Sequence, residues 1–245
     1  MGTLYIVATP IGNLEDITLR ALSTIFSVDY IACEDTRRTG QLIKNYELRI
    51  RNKELGIKDF HIVKIPKLLS YYDEIEFTRM PEIIELLEQN KDIALVSDSG
   101  TPLIADPGFK LVSECLKRNI KVISVPGPSS VITALVTSGL PTNQFLFLGY
   151  LPTSQNKRQK LLASCNRYID ESIKLHPTII FFEAPHRLKE SLTDMKEVFG
   201  DIEIVIAREL TKIHEEIWRG EISQANEYFL QPQGEMIILF SIPPK

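Results

Sequence analysis

The stretch Ile93-Ala-Leu-Val-Ser-Asp-Ser-Gly-Thr-Pro-Leu-Ile-Ala-Asp-Pro-Gly108 decides the fold of this chain. Its first four residues, Ile93 to Val96, are apolar and predict a buried strand. A loop rich in Gly and Pro follows, with Asp98 at its start. The next residues place apolar side chains at helical spacing and predict one inward face, formed by Phe109, Val112 and Leu116. A strand, a glycine loop and a helix in this order place a ligand at the carboxyl end of a parallel strand.

Two more strands of the first half end in Gly/Pro turns. Thr3–Ala8 is almost continuously apolar and leads into Pro10-Ile-Gly-Asn13, and Lys121–Val125 leads into Pro126-Gly-Pro128. In a parallel sheet the three loops meet at one edge, where glycines let the backbone approach a ligand. Ordinary turns are the alternative for any one loop, but three such loops in one half-chain favour a binding crevice.

Strands and helices alternate along the rest of the chain. Helices are predicted after an N-cap at Asp16 or Thr18, after Glu34-Asp-Thr-Arg-Arg38, at 80–87, before Gly139, and at 155–173 and 185–199. Further strands are predicted at 30–33, 145–148, 178–182, 203–207, 217–219 and 236–240. Gly139-Leu-Pro-Thr142 is typical of a helix C-cap followed by a hinge. We therefore predict an α/β protein of two α/β domains, residues 1–139 and 140–245.

Composition limits the class of protein. The chain has 245 residues, of which 44% are hydrophobic and 24% charged. No apolar run approaches the roughly 20 residues of a membrane span, and the N-terminus lacks the basic region of a signal peptide. The three cysteines are far apart in sequence, which fits a reducing, cytoplasmic environment. The net charge of −4 argues against a broadly basic nucleic-acid-binding surface.

Several common ligand motifs are absent from the sequence. No Gly-x-Gly-x-x-Gly follows a strand, and no P-loop or His-Glu-x-x-His motif occurs. The four histidines are scattered. We expect no dinucleotide site of the usual kind and no metal ion.

Six short motifs occur in order along the chain: Val7-Ala-Thr-Pro-Ile-Gly-Asn-Leu14, Glu34-Asp-Thr-Arg37, Ser97-Asp-Ser-Gly-Thr-Pro-Leu-Ile104, Pro126-Gly-Pro-Ser129, Ser138-Gly-Leu-Pro141 and Arg208-Glu-Leu-Thr-Lys212. Together they resemble the ribosomal RNA small-subunit methyltransferase I family, from Thr3 to about Phe240. The resemblance implies the tetrapyrrole-methylase-like fold of class III methyltransferases, with S-adenosylmethionine in a cleft between two domains. It also implies 2′-O-methylation of a cytidine ribose (cytidine 1402) in 16S rRNA.

The resemblance assigns residues to the cofactor. In the first half it implies Pro10, Asp98, Thr101 and Ile104, and beyond them Ser130, Val131, Phe182, Ala207 and Gly234. Asp98 could serve the cationic methionine end, although an aspartate at a loop start can simply form an Asx-turn. Phe182 could equally be a core residue.

Methyl transfer to a hydroxyl needs in-line geometry and a group that takes the proton. The charged candidates where strands end are Glu34, Asp35, Arg37, Arg208, Glu209 and Lys212. We favour Glu34 or Asp35 as the base. The alternatives are a helix-start carboxylate with a salt bridge for Glu34 and Arg37, and a structural ion pair for Arg208 and Glu209.

Basic residues suggest where RNA binds. Residues 44–67 hold seven Lys/Arg against three Asp/Glu, at Lys44, Arg49, Arg51, Lys53, Lys58, Lys64 and Lys67. A second group is Lys157, Arg158, Lys160 and Arg167. A charge run can also be only a solvated face. Near this stretch, at Ser70-Tyr-Tyr-Asp-Glu74, the chain departs from the family pattern, in which His and Asn tend to follow the serine.

The expected partners are 16S rRNA or the 30S subunit, and a second copy of the chain in a homodimer. Two other functions stay open. One is a methyltransferase of the same fold that acts on a tetrapyrrole or a protein. The other is a ligand-binding protein that keeps the cofactor slot without catalysis.

Overall fold

The computed structural model describes residues 1–56, 60, 62–168 and 176–242. By its internal contacts the chain divides into two compact units, Met1–Ser129 and Ser130–Lys245. The helix Ser130–Ser138, which the sequence analysis assigns to the first domain, groups with the second unit. The division into domains at residues 139 and 140 stays a prediction.

The described residues of the first unit form five strands and four α-helices. The strands are β1 (Thr3–Val7), β2 (Tyr30–Cys33), β3 (Lys67–Ser70), β4 (Ile93–Leu95) and β5 (Lys121–Val125). The helices are α1 (Leu19–Ile25), α2 (Thr36–Arg51), α3 (Glu76–Glu88) and α4 (Phe109–Lys117). Of the two predicted caps, Thr18 is the one that caps α1, because its side chain accepts from the Ala21 backbone at 3.0 Å.

All strand pairs of the first sheet are parallel, in the order β3-β2-β4-β1-β5. Helices cover both of its faces. Buried residues of α1 and α2 pack together on one side, and those of α3 and α4 pack on the other. Burial on both faces explains why the inner strands β1, β2 and β4 are almost continuously apolar in sequence.

The second unit begins with α5 (Ser130–Ser138). Its strands are β6 (Phe145–Tyr150), β7 (Thr178–Glu183), β8 (Glu203–Arg208), β9 (Glu216–Glu221) and β10 (Met236–Ser241). Its other helices are α6 (Gln155–Ser164), α7 (Leu188–Phe199) and α8 (Ile222–Tyr228). The sheet order is β6-β7-β10-β8-β9, and only the β6–β7 pair is parallel.

Helices α6, α7 and α8 pack on one face of this second sheet, against alternate residues such as Phe181, Ile206 and Ile238. Helix α5 packs against β8 and β10. Because side chains alternate along a strand, α5 covers the opposite face, which carries Phe182, Ala207 and Ile237. Arg219 of β9 donates from Nε to the Ser138 carbonyl at 2.9 Å and from Nη2 to the Thr137 carbonyl, and so holds the end of α5.

Most of the predicted elements are confirmed, with three differences. The prediction of the inward face of α4 is wrong: Leu111 and Cys115 are buried, whereas Phe109 and Leu116 are 74% and 61% exposed. Strand β3 and helix α8 are not predicted. The helix predicted up to residue 173 ends as α6 at Ser164, and residues 169–175 lie outside the described part. Among the described residues, no helix is long and apolar enough to cross a membrane.

Candidate active site

The three Gly/Pro loops meet at the carboxyl edge of the first sheet. Thr9 and Gly100 exchange both backbone hydrogen bonds, at 2.9 and 3.1 Å. The Thr9 hydroxyl donates to the Ser97 carbonyl at 3.1 Å, and the Thr101 hydroxyl donates to the Pro128 carbonyl at 2.9 Å. The convergence predicted from the sequence is therefore confirmed within this unit.

The position of β4 makes this edge a crevice. Strand β4 lies between β1 and β2, whose following helices α1 and α2 pack on one face. Helix α4, which follows β4, packs on the other face. The loops therefore diverge on either side of β4, which is the position where open α/β sheets bind ligands.

The loop from Ser97 to Gly108 has a strained backbone. Leu103 and Ala105 have φ angles of 72° and 66°, in the left-handed region that non-glycine residues rarely adopt. Ile104 between them is 43% exposed. Strained residues concentrate at functional sites, which supports a binding role for this loop.

Asp35 and Asp98 bind neighbouring groups at this edge. Asp35 caps α2 by accepting from the backbone of Arg37 at 2.8 Å, and its carboxylate also pairs with the Arg37 guanidinium at 3.1 Å. Asp98 accepts from the Asp35 backbone at 3.3 Å and pairs with Arg38 at 3.2 Å. The hydrogen bonds from Arg37 lower the pKa of Asp35. A helix-start salt bridge with Arg37 was the structural alternative for Glu34, but Asp35 forms that bridge.

Glu34 and Asp106 lie among other carboxylates. Burial, together with the nearby charges of Asp106, Asp98 and Asp73, raises the pKa of Glu34 to about 7, although a hydrogen bond from the Asp98 backbone acts in the opposite direction. Burial likewise raises the pKa of Asp106 to about 6. Asp106 lies in the stretch Ile93–Gly108 but has no predicted role, although its position in the loop could have indicated one.

A buried carboxylate fixes the end of the same loop. Glu76 is 4% exposed and accepts from the Tyr71 hydroxyl at 2.8 Å and from the Gly108 backbone at 3.2 Å. Lys110 Nζ lies 2.8 Å from its other oxygen. Glu76 is absent from the sequence predictions because these partners come together only in the folded chain.

In the second unit, two predicted cofactor residues share one row of the sheet. Phe182 and Ala207 each pair with Ile237 of the central strand β10. Phe182 is only partly buried and contacts the rings of Phe147 and Tyr150 at centroid distances of 4.9 and 5.5 Å. It therefore lies outside the core that the sheet forms with α6, α7 and α8. Ala207, on the same face as Phe182, is fully buried. Ser130 and Val131 begin α5, which covers the same face.

The motif Arg208–Lys212 forms a network of charges after β8. The Glu209 carboxylate pairs with Lys212 at 2.9 Å and accepts from the Glu235 backbone at 2.9 Å. Lys212 also pairs with Glu235 at 3.1 Å. Arg208 Nη2 lies 2.7 Å from Glu216 Oε2, an ion pair by distance that lacks hydrogen-bond geometry. The structural ion pairs weighed for this motif are present, but Arg208 and Glu209 do not pair with each other.

Gly234 makes room for this network. Its φ angle is +82°, and a Cβ atom there would lie 2.5 Å from Glu209 Oε1. Glu209 and Thr211 also have left-handed backbones, with φ angles of 49° and 62°. The predicted cofactor residue Gly234 and the predicted catalytic residue Glu209 are therefore in direct contact.

The structure groups the predicted site residues in two places. The first unit holds Pro10, Glu34, Asp35, Asp98, Thr101 and Ile104 on its loops and Arg37 in the first turn of α2, and the others lie in the second unit. The cleft expected between the domains stays a prediction. Among the described residues, no three His, Cys, Asp or Glu side chains are grouped to hold a metal ion.

One predicted RNA contact is wrong. Arg158 is 2% exposed and pairs with the buried Asp194, so it cannot reach a phosphate in this fold. In the basic stretch 44–67, Arg51 pairs with Glu47 at 2.7 Å and Lys64 pairs with Asp29 at 2.9 Å. Lys58 lies outside the described residues.

Comparison with known proteins identifies relatives along the whole chain. The chain is 43% identical over 243 residues to a Thermotoga maritima protein named ribosomal RNA small subunit methyltransferase I, covering 98% of this chain and 99% of the relative. The protein of the same name from a Hydrogenobaculum species is 42% identical over 242 residues, covering 97% and 95%.

Solved structures share the fold at low sequence identity. A uroporphyrin-III C-methyl transferase from Thermus thermophilus, complexed with S-adenyl homocysteine, gives a TM-score of 0.63 at 13% identity over 97% of each chain. The cobalamin biosynthetic enzyme cobalt precorrin-4 methyltransferase gives 0.62 at 14% identity, covering 97% of this chain and 94% of the other. The pattern of the tetrapyrrole (corrin/porphyrin) methylases matches residues 3–226. The chain belongs to the ribosomal RNA small subunit methyltransferase I family, within the tetrapyrrole methylases.

Proposed function

We propose that this chain transfers a methyl group from S-adenosylmethionine to the 2′-hydroxyl of a cytidine ribose in 16S rRNA of the small ribosomal subunit. The observation that carries the proposal is the 43% identity, over nearly the full length of both chains, to a protein named as a small-subunit rRNA methyltransferase. The choice of cytidine and of the 2′-oxygen is what the resemblance carried by the six motifs implies.

The residues at the two candidate groups fit this methyl donor. When bound, S-adenosylmethionine supplies an electrophilic methyl group on a sulfonium cation. The carboxylates of Glu34, Asp98 and Asp106 give the first unit a negative edge suited to a cationic ligand. Exposed Ile104 and partly buried Phe182 offer apolar contacts of the kind that adenine requires.

The charged motif after β8 is suited to bind anionic RNA. Burial alone would lower the pKa of Lys212, but its bonds to Glu209 and Glu235 raise it above the usual value. Lys212 is thus a cation at neutral pH rather than a base. The guanidinium of Arg208 supplies a second positive charge. We propose that these two side chains face the phosphate or the reacting oxygen of the substrate, where a positive charge stabilises developing negative charge.

Tritiated S-adenosylmethionine and 30S particles from a strain lacking the activity test this function. We expect label in a dinucleotide that resists alkaline hydrolysis, because a 2′-O-methyl group removes the nucleophile that cleaves RNA in base. Particles from the parent strain, already methylated, should accept no label. Free 16S rRNA assayed in parallel shows whether assembled particles are required.

The same experiment separates the competing functions. Label only in ribosomal protein, or only in an added tetrapyrrole, would replace the proposal by a methyltransferase with that substrate. Binding of S-adenosylhomocysteine without label in any of these acceptors would favour a non-catalytic binding protein. The homodimer and the cytoplasmic location expected from the sequence stay predictions, and sedimentation equilibrium tests the first.

A further inference from the structure

We infer that the Glu34 carboxylate is the group that accepts the proton of the ribose hydroxyl, an inference that rests on the function proposed above. Glu34 directly follows β2, beside β4, where the loops of the first sheet diverge. Its side chain is partly buried and accepts a hydrogen bond from the Asp98 backbone. It therefore lies at the crevice itself and in a fixed position.

The other carboxylates among the candidates are already bound to cations or backbone groups. Asp35 caps α2 and pairs with Arg37. Asp98 pairs with Arg38, and Glu209 pairs with Lys212. Glu34 has no ion pair within the described residues. A carboxylate that must take up a proton gains basicity when no cation stabilises its charge, so Glu34 is the candidate best suited to the task.

The charged groups around Glu34 support this assignment. It faces Asp98 and Asp106 of the loop after β4 and Asp73 of the turn before α3. The nearby guanidinium of Arg38 forms its ion pair with Asp98. The neighbouring thiol of Cys33 stays protonated, because burial raises its pKa to about 11. With a pKa of about 7, Glu34 is near half ionised at neutral pH, where a general base is most effective.

The step balances with this residue alone as base. The hydroxyl proton passes to Glu34 while the ribose oxygen bonds to the methyl carbon and the electron pair of the breaking carbon–sulfur bond stays with sulfur. Protonated Glu34 then releases its proton to solvent. No metal ion or further reactant is required.

The test compares Glu34→Gln with Glu85→Gln, which makes the same chemical change on the exposed side of α3. We expect Glu34→Gln to slow single-turnover methylation of 30S particles by about 100-fold or more. S-adenosylhomocysteine binding, measured by calorimetry, should stay within about twofold in both variants, because the substitution keeps the shape of the side chain and S-adenosylhomocysteine lacks the sulfonium charge that a carboxylate would attract. Glu85→Gln should keep the wild-type rate.

Two pH measurements distinguish a base from a structural residue. The wild-type rate should rise about tenfold per pH unit up to about pH 7 and then level off, and this rise should vanish in Glu34→Gln. In the wild-type protein with ¹³C-labelled glutamate carboxyls, the signal missing from Glu34→Gln should titrate near pH 7. If Glu34→Gln does not fold, Glu34→Asp replaces it, both to assign the carboxyl signal of Glu34 and to compare the methylation rate with that of the wild type.

A rate or pH profile unchanged in Glu34→Gln, or a Glu34 signal that titrates near pH 4, would overturn the inference. These results differ from failure of the proposed function. If the wild-type protein labels no rRNA, the function and this inference fall together. If the wild-type protein labels rRNA and Glu34→Gln labels it equally fast, only the inference falls.

Discussion

The buried carboxylate of Glu76 joins the loop end at Gly108 to Tyr71 and Lys110. We predict that Glu76→Gln destabilises the protein at pH 7 by about 1–3 kcal/mol, because a charged acceptor with several buried partners is lost. Urea unfolding at pH 7 measures the change. Glu85→Gln, at an exposed position of the same helix, should leave stability within about 0.5 kcal/mol of wild type.

The pH dependence of that loss has a definite sign. Burial alone would raise the pKa of Glu76, but the bonds to Lys110, Tyr71 and Gly108 outweigh it and the pKa is lowered. A carboxylate whose pKa is lower in the folded chain than in the unfolded chain stabilises the fold at pH values above its unfolded pKa, which is about 4.3 for glutamate. This stabilisation is lost as the pH falls through the pKa of the folded state. The gap between wild type and Glu76→Gln should therefore narrow below about pH 4. A gap of constant size would contradict this account.

Gly234 and Glu209 form a second testable pair. Gly234→Ala should destabilise the protein through left-handed strain of about 1–2 kcal/mol and also through collision with the Glu209 carboxylate. Gly139→Ala is the matched control, since Gly139 also has a φ of +82° but its Cβ would meet nothing closer than Arg219 Nε at 4.0 Å. We expect the larger loss at Gly234, measured by urea unfolding.

A double-mutant cycle separates the two effects at Gly234. In a Glu209→Ala background the collision is absent, so Gly234→Ala should cost only the strain and match the Gly139→Ala control. Equal losses at Gly234 in both backgrounds would show that Glu209 moves away freely.

Among the elements, α4 shows why helix faces are hard to predict. Phe109, Val112 and Leu116 have helical spacing, and so do Leu111 and Cys115. Sequence spacing cannot choose between two such sets, and only the second is fully buried, against β4 and α3 residues. Residue type does not decide either, because phenylalanine and cysteine are both among the residues most often buried.

Substitutions on α4 can confirm which face packs. Leu111→Ala should cost about 2–5 kcal/mol, because it leaves a cavity in the core of the first unit. Leu116→Ala removes the same atoms from an exposed position and should change stability by no more than about 0.5 kcal/mol. Thermal or urea unfolding measures both, and similar losses in the two variants would contradict the packing described.

At the scale of the whole molecule, the strands of both units could largely be predicted, but the order of the second sheet could not. In the first unit the inner strands β1, β2 and β4 are the most buried, and they stand out as apolar runs in the sequence. The edge strand β3 has only two apolar residues between Lys67 and Ser70 and gives no such signal. In the second sheet, the last strand, β10, lies between β7 and β8. No local pattern reveals that order, because it depends on contacts distant in sequence.

The candidate site could also be predicted only in part. Loop ends that carry Glu34, Asp98 or Thr101 follow from strand positions, so their meeting could be predicted from the sequence. The contacts that distinguish their chemistry could not. Glu34 and Asp35 are adjacent in sequence, yet only the folded chain shows that Asp35 is a helix cap and that Glu34 lies among carboxylates.

RNA binding is a property of the whole surface and can be tested through salt dependence. In the basic stretch 44–67, Lys44 and Lys67 are exposed and have no ion pair among the described residues. If each contacts a phosphate, the double variant Lys44→Gln/Lys67→Gln should weaken binding to 30S particles at low salt. The slope of log K against log salt should also become less steep by about 1.5, because binding no longer releases the counterions of the two lost phosphate contacts.

The control is Lys121→Gln/Lys189→Gln, which changes the net charge equally at two other exposed lysines. Its salt slope should match wild type, and S-adenosylhomocysteine binding should be unchanged in both double variants. An equal fall of the slope in both would mean that net charge alone attracts RNA. No fall in the first would make this basic stretch a solvated face, and the exposed Lys157 and Lys160 of α6 would become the next residues to test.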